Sequence, residues 1–160
     1  MNKKVLDVPK IKQLPGNFCG VASLSMILSY NGIKMPQEEL ADYFESSLEE
    51  ITHQGVYYTE VMHAARELGF IAHPYHNLTL DHLIKFIDDD FPIIIRCKAH
   101  WNTSGRHFYV VKGYDKNNKK IIINDPAHLN KKQFDFEELK KLWVIKGIQS
   151  TKNYGLRIRV

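Results

Sequence analysis

Cys19-Gly20-Val21-Ala22-Ser23-Leu24-Ser25-Met26-Ile27-Leu28-Ser29-Tyr30-Asn31-Gly32 is the stretch on which the fold turns. Val21, Ala22, Leu24, Met26, Ile27, Leu28 and Tyr30 set apolar side chains nearly all round a helix, and Asn31-Gly32 stops the pattern. A helix with no polar face is buried in a core, so the rest of the chain has to pack around this one. Its first residue falls close to Cys19.

Shorter helices follow. Pro36 opens one that runs through Phe44, with Glu38 and Glu39 suited to the positive end of its dipole, and a brief turn spans Ser47 to Ile51. Thr59 is the expected cap of a helix carrying Val61, Met62, Ala65 and Leu68 and ended by Gly69. Thr79 caps another with Leu80, Leu83, Ile84 and Ile87. The second half changes period: Phe91 to Cys97, His107 to Tyr114 and Lys120 to Asn124 are β-branched and aromatic runs, and Asp115 to Lys119 reads as a hairpin connection. Asp135 is the expected cap of a helix from Phe136 to Trp143, and Leu156-Arg157-Ile158-Arg159-Val160 alternates as a half-exposed final strand does. A helical N-terminal half on an antiparallel C-terminal sheet is an α+β layout.

The chain has 160 residues, 44% hydrophobic and 25% charged, within the range of ordinary globular proteins. At that length folding removes about 70% of the unfolded surface from water, so neither cysteine is needed as a staple. No repeat, low-complexity tract or linker interrupts it, and one domain over 1–160 is expected. The net charge is +4 at pH 7, but the basic residues are spread in pairs such as Lys119-Lys120, Lys131-Lys132 and Lys140-Lys141. Nucleic-acid readers concentrate such charge on one stripe with interleaved aromatics, so no nucleic-acid partner is expected. Met1-Asn2-Lys3-Lys4 lacks the apolar stretch of a secretory signal behind it, and Phe91 to Ile95 is far short of the roughly 20 apolar residues of a membrane helix. These features predict a cytoplasmic chain with no integral membrane segment, in which Cys19 and Cys97 are reduced.

Asn17-Phe18-Cys19-Gly20 sits where unpaired backbone N–H groups and the helix dipole favour a thiolate. The bland reading of Cys19 is a small buried hydrophobe, which is also the simplest reading of Cys97. Other residues change the balance. His107 begins a strand, and Asp125, fixed by Pro126, ends the next one, so a single hairpin brings them side by side. Asp125 is expected to accept from His107 Nδ1 and leave Nε2 for the proton of Cys19. Gln13, just upstream, supplies an amide that together with the Cys19 backbone N–H suits an oxyanion, about 3 to 4 kcal/mol per donor in other enzymes. Gly20 offers close approach of a substrate backbone.

Gln13-Leu14-Pro15-Gly16-Asn17-Phe18-Cys19-Gly20-Val21-Ala22-Ser23-Leu24, then Tyr30-Asn31-Gly32, His107-Phe108-Tyr109-Val110-Val111 and Asn124-Asp125-Pro126 resemble the bacteriocin-processing, double-glycine leader peptidases and their relatives. The resemblance runs from about Gln13 to Trp143 and takes in Gly55 and the helix ending Glu67-Leu68-Gly69-Phe70. It implies a papain-like cysteine peptidase with Cys19 as nucleophile, His107 as general base and acid, Asp125 as orienting carboxylate and Gln13 as oxyanion donor. It further implies a peptide or protein substrate and no cofactor, and it admits association with a transporter. Dedicated transporters of that family carry a membrane domain and an ATPase domain after the peptidase. This sequence reaches Val160 with neither, so a stand-alone peptidase is expected.

Gly20, Gly55, His100, Trp101 and Arg106 are the expected substrate-binding residues, Arg106 also as a positive neighbour that lowers the His107 pKa. No metal site is expected: His73, His76 and His82 have no Cys or carboxylate at a zinc-like spacing, and Asp88-Asp89-Asp90 lacks the glycine turn and distal Glu of a calcium loop. Three rivals share the same residues. They are an acyl transferase or deamidase using the same acyl-enzyme, a peptide-binding module that does not cut, and a cell-wall amidase with the same Cys-then-His order.

Overall fold

The computed structural model describes residues 1–160 and shows six helices and nine strands. Helix α1 covers Cys19–Tyr30, as its apolar pattern requires, and Gly20 to Leu28 are all buried in it. It is followed by α2 (Gln37–Ala41), α3 (Leu48–Gln54), α4 (Tyr58–Glu67), α5 (Leu80–Asp88) and α6 (Phe136–Leu142). The strands are β1 (Lys3–Val5), β2 (Ile71–Tyr75), β3 (Ile93–Ala99), β4 (Asn102–Asp115), β5 (Lys120–Asn124), β6 (Gln133–Asp135), β7 (Val144–Ile145), β8 (Thr151–Lys152) and β9 (Gly155–Arg159). The α+β expectation agrees with this architecture.

Seven strands form one antiparallel sheet in the order β2-β9-β3-β4-β5-β6, with β1 also paired to β4. β4 is the organising strand: β3 pairs along its first part, β5 along its second, and β1 beside Gly113 to Asp115. β7 and β8 form a separate two-stranded ladder. Helix α1 packs on β4, α4 on β2 and α5 on β4. One hydrophobic cluster runs from Leu6 to Ile158 and joins both halves of the chain. No helix is long and apolar enough to cross a membrane.

Several boundaries differ from the sequence reading, each for a local reason. α4 starts at Tyr58 rather than behind a Thr59 cap, because the Glu60 carboxylate reaches back to accept from the Tyr57 N–H at 2.7 Å and from the Ser46 N–H and hydroxyl. α2 stops at Ala41, and the chain tightens into i to i−3 bonds through Phe44. Asp135 precedes α6 but its side chain pairs with Lys120 instead of capping. Thr79 caps α5 as expected, and its partner is His82, whose Nδ1 accepts from the Thr79 N–H at 3.0 Å. β1, β2, β6, β7 and β8 are too short or too polar to stand out by periodicity. Pro74 lies in β2, where it is tolerated because that strand is at the sheet edge.

Gly113 sits where β1 crosses β4 at a register shift, and a Cβ there would lie 2.6 Å from the Lys4 carbonyl oxygen. Backbone cannot give way as a flexible side chain does. Gly113→Ala is therefore expected to destabilise the fold by about 1–3 kcal/mol, read as a lower urea midpoint with an unchanged slope.

Candidate active site

The first turn of α1 carries no acidic residue, and the preceding Phe18 makes no side-chain cap, so its N–H groups are left to the thiol end of the helix. Burial alone would push the Cys19 thiol up. The hydrogen bond and charge of His107 outweigh it, with the Phe108 and Gly20 N–H groups adding to them, and the pKa falls below the ordinary thiol value. Cys97, fully buried in β3, has no such partners and is pushed far up. It stays an unreactive thiol.

His107 projects from β4 opposite Cys97 and is buried. Its Nε2–H donates to Asp125 Oδ1 at 2.7 Å. The nitrogen facing the carboxylate is thus Nε2, not the expected Nδ1, and Nδ1 is the one left for the thiol. Asp125 follows directly on β5 and is fully buried, and its Oδ1 also accepts from the Ala127 N–H at 2.9 Å. Burial opposes the charge of Asp125, but the hydrogen bond and positive charge of His107 hold its pKa below the usual carboxylate value. Burial likewise disfavours the imidazolium. Asp125 and Cys19 more than offset this and raise His107 to about 9.

Gln13 enters through its backbone N–H, which donates to the Pro126 carbonyl at 2.9 Å and ties its segment to the turn after Asp125. Its Nε2 donates to the Gly16 carbonyl at 2.9 Å, so one amide hydrogen remains for another acceptor. Gln37 brackets this segment, accepting from the Leu14 N–H at 3.1 Å and donating to the Lys12 carbonyl at 2.8 Å. Gln13, Asn17, Cys19, Gln54, Gly55, Val56, Arg96, Trp101, Arg106, His107, Phe108, Ala127 and Gln149 line one cleft of about 300 Å³.

The sequence profile of the Peptidase_C39 like family matches residues 5–151. The chain belongs to that family. It is accordingly a cysteine peptidase, and its fold is shared by solved peptidases. A C39-like peptidase from Bacillus anthracis is 20% identical, with a TM-score of 0.75 over 100% of this chain and 98% of the other. The peptidase domain of Streptococcus ComA, a bi-functional ABC transporter of a quorum-sensing pathway, is 20% identical, with a TM-score of 0.70 over 94% and 97%. A double glycine motif protease from an AMS/PCAT transporter, solved with its leader peptide, is 29% identical, with a TM-score of 0.67 over 96% and 92%. A comparison with curated protein sequences finds no match.

In this C39-like peptidase the other expected residues divide. Gly55, with φ +79, ends α3 on the cleft wall, and Trp101 covers the His107 ring edge-on at 4.8 Å between centroids. Gly20 does not meet the cleft: a Cβ there would lie 2.6 Å from Val56 Cγ2 and 3.3 Å from the Phe108 ring, so its lack of a side chain serves packing. His100 is not in the cleft lining but stands against Asp125, its Nδ1 3.7 Å from Oδ2. Its backbone N–H donates to the Tyr109 hydroxyl at 3.1 Å, and that hydroxyl lies 3.0 Å from Nδ1. Arg106 lines the cleft, yet its guanidinium donates to the carbonyls of Ile148 and Lys146, and the pKa of His107 rises rather than falls.

His128, Gln37, Gln149 and Arg96 were not singled out from the sequence. His128 Nδ1 stands 3.3 Å from Asp125 Oδ2. His100, Asp125 and His128 bring three potential ligand atoms within 4.8 Å of one another: Asp125 Oδ2 faces both rings, while Oδ1 is taken by His107 and His100 Nδ1 lies 3.0 Å from the Tyr109 hydroxyl. The signal for His128 was its position three residues after Asp125, and for Arg96 its place as the one charge in Ile93-Ile94-Ile95-Arg96-Cys97.

The electrostatics predict that iodoacetamide alkylates Cys19 with a pH midpoint below the ordinary value of about 8.5. His107→Gln removes the opposing charge but not the burial, so the midpoint should move to or above the ordinary value. Peptide mass spectrometry resolves Cys19 from the inert Cys97, and equal midpoints in the two proteins would contradict the account.

Proposed function

We propose that this chain hydrolyses a peptide bond with Cys19 as nucleophile, His107 as general base and acid, Asp125 as orienting carboxylate and Gln13 as oxyanion donor. The observation that carries the reading is the buried 2.7 Å bond from His107 Nε2 to Asp125, with Cys19 in the same cleft and its thiol electrostatically coupled to the same ring. Asp125 fixes the ring and stabilises its positive form, so the resting pair is a thiolate and an imidazolium. Cys19 Sγ attacks the carbonyl carbon and the carbonyl oxygen becomes an oxyanion. The second amide hydrogen of Gln13 and the Cys19 backbone N–H are its donors.

Collapse of that intermediate breaks the C–N bond, and the leaving amine takes the proton of His107. Neutral His107 then removes a proton from water, whose hydroxide attacks the thioester. The acid product leaves and the thiolate returns. Trp101 lies across the His107 ring and limits water there.

The resemblance read from the sequence and the leader peptide bound to the AMS/PCAT protease support a leader cleaved after two glycines as substrate. A cleft of about 300 Å³ walled by Gly55 suits residues without side chains at the scissile bond. The transporter origin of two of the similar peptidases supports action on a peptide handled by a transporter, in a reducing cytoplasm that keeps both thiols free.

A panel of leader peptides ending in Gly-Gly, with Gly-Gly replaced in matched controls, tests the reading. Cleavage should depend on the two glycines, and both Cys19→Ala and His107→Ala should lower kcat/KM by roughly 10³-fold or more. Parent-like cleavage by both variants would end the assignment. The rate should be bell-shaped in pH. It falls on the acid side as the thiolate is protonated, below the ordinary thiol range, and on the basic side above about 9 as His107 loses the proton the leaving amine needs.

A further inference from the structure

Arg96 is the unusual charge of this cleft. It lies in β3 opposite Phe108, one residue before Cys97, and is only 5% exposed although it lines the same cleft as Cys19. Its Nη1 donates to the Gln149 carbonyl at 2.6 Å and to Thr151 Oγ1 at 3.1 Å, and the Tyr58 ring lies 5.0 Å from the guanidinium carbon. No group of the chain accepts from Nε or Nη2, and neither atom is sealed from solvent, so this edge of a guanidinium that lines the cleft is left without a partner in the chain.

No carboxylate forms an ion pair with Arg96 or with Arg106, the second guanidinium in the lining. Burial, and after it the charge of Arg106, lowers the Arg96 pKa to about 10, which still leaves it charged at neutral pH. A buried cation whose charged neighbour is another cation is costly, and proteins ordinarily supply such a group with an anion. Stapling of the 149–151 segment uses Nη1 alone. The remaining edge of the fork has the geometry that holds a carboxylate through paired N–H bonds.

We propose that Arg96, with Arg106 beside it, forms an anion subsite that takes a carboxylate of the substrate peptide within a residue or two of the scissile bond. The closeness follows from the size of the cleft, which holds Cys19 and the guanidinium in the same space of about 300 Å³. Both an acidic side chain and a free chain terminus supply that chemistry. The inference rests on the peptidase reading for its substrate, though the subsite itself is open to an independent probe.

That probe is alkylation of Cys19 by iodoacetate and by iodoacetamide, in which the same Sγ–C bond forms and the same iodide leaves but only one reagent carries a carboxylate. The iodoacetate to iodoacetamide rate ratio should exceed that of free cysteine in the parent. In Arg96→Gln it should fall by about tenfold, the scale of one charge-assisted hydrogen bond, while the pH midpoint of Cys19 stays in place. Arg96→Lys, which keeps the charge, should retain most of the preference, and Arg106→Gln should lower it by less.

In parallel, matched peptides with Glu or Gln at each position flanking the scissile bond, and with free or amidated C-termini, locate the carboxylate. The favoured member should lead by about 10- to 100-fold in kcat/KM in the parent and by little in Arg96→Gln. A ratio unmoved by Arg96→Gln, or an equal loss for charged and neutral peptides, would make Arg96 a staple and overturn the subsite. Cleavage without carboxylate preference would also overturn the subsite while leaving the peptidase intact. An Arg96-dependent alkylation ratio with no peptide cut would support the subsite and remove the peptidase reading. Should Arg96→Gln fail to fold, the Arg96→Lys and Arg106→Gln ratios decide, and parent-like ratios in Arg106→Gln together with no excess over free cysteine in the parent would overturn it.

Discussion

The close seat of α1 on β4 is the contact on which the site depends. Gly20 presents no Cβ, so the helix start can settle against Phe108 and Val56, and that approach sets Cys19 beside the neighbouring strand residue His107. The apolar girth of α1 supplies the driving force, because Val21, Ala22, Leu24 and Leu28 are all sealed from water. A polar face on this helix would have left it on the surface, and the thiol with it.

Around that contact the electrostatics are arranged in a row. Asp125 is buried but held charged by His107, His107 is held charged by Asp125 and Cys19, and Cys19 is held toward its thiolate by His107. Each group is ionised because its neighbour is, so protons leave the set as a coupled system rather than one residue at a time. His100 is drawn the other way. Burial lowers its pKa despite Asp125 nearby, and the Tyr109 hydroxyl at Nδ1 suits the neutral ring.

What the sequence revealed is what local rules can carry. The α1 pattern, the hairpin from His107 to Asp125 and the Thr79 cap all depend on residues close along the chain, and they are found where periodicity puts them. The identity of the ring nitrogen on Asp125 was misread, because it depends on how β4 aims the His107 ring across the sheet. The same holds for Arg96: its strand was legible, but its place in the cleft lining, held by Gln149 and Thr151, depends on residues more than fifty positions away. Gly20 was legible as a close-approach residue, while the partner that approaches is Val56 rather than a substrate. Short strands such as β1, β7 and β8 exist only through their partners and leave little trace in composition.

The backbone bond from Gln13 to the Pro126 carbonyl joins two turns that serve different chemical ends, one bearing the amide and the other following the carboxylate. Mechanically they are one piece. A change that shifts either turn displaces both, so the free-energy effects of substitutions in the two segments will not add, and the coupling between them measures the stiffness of this single joint.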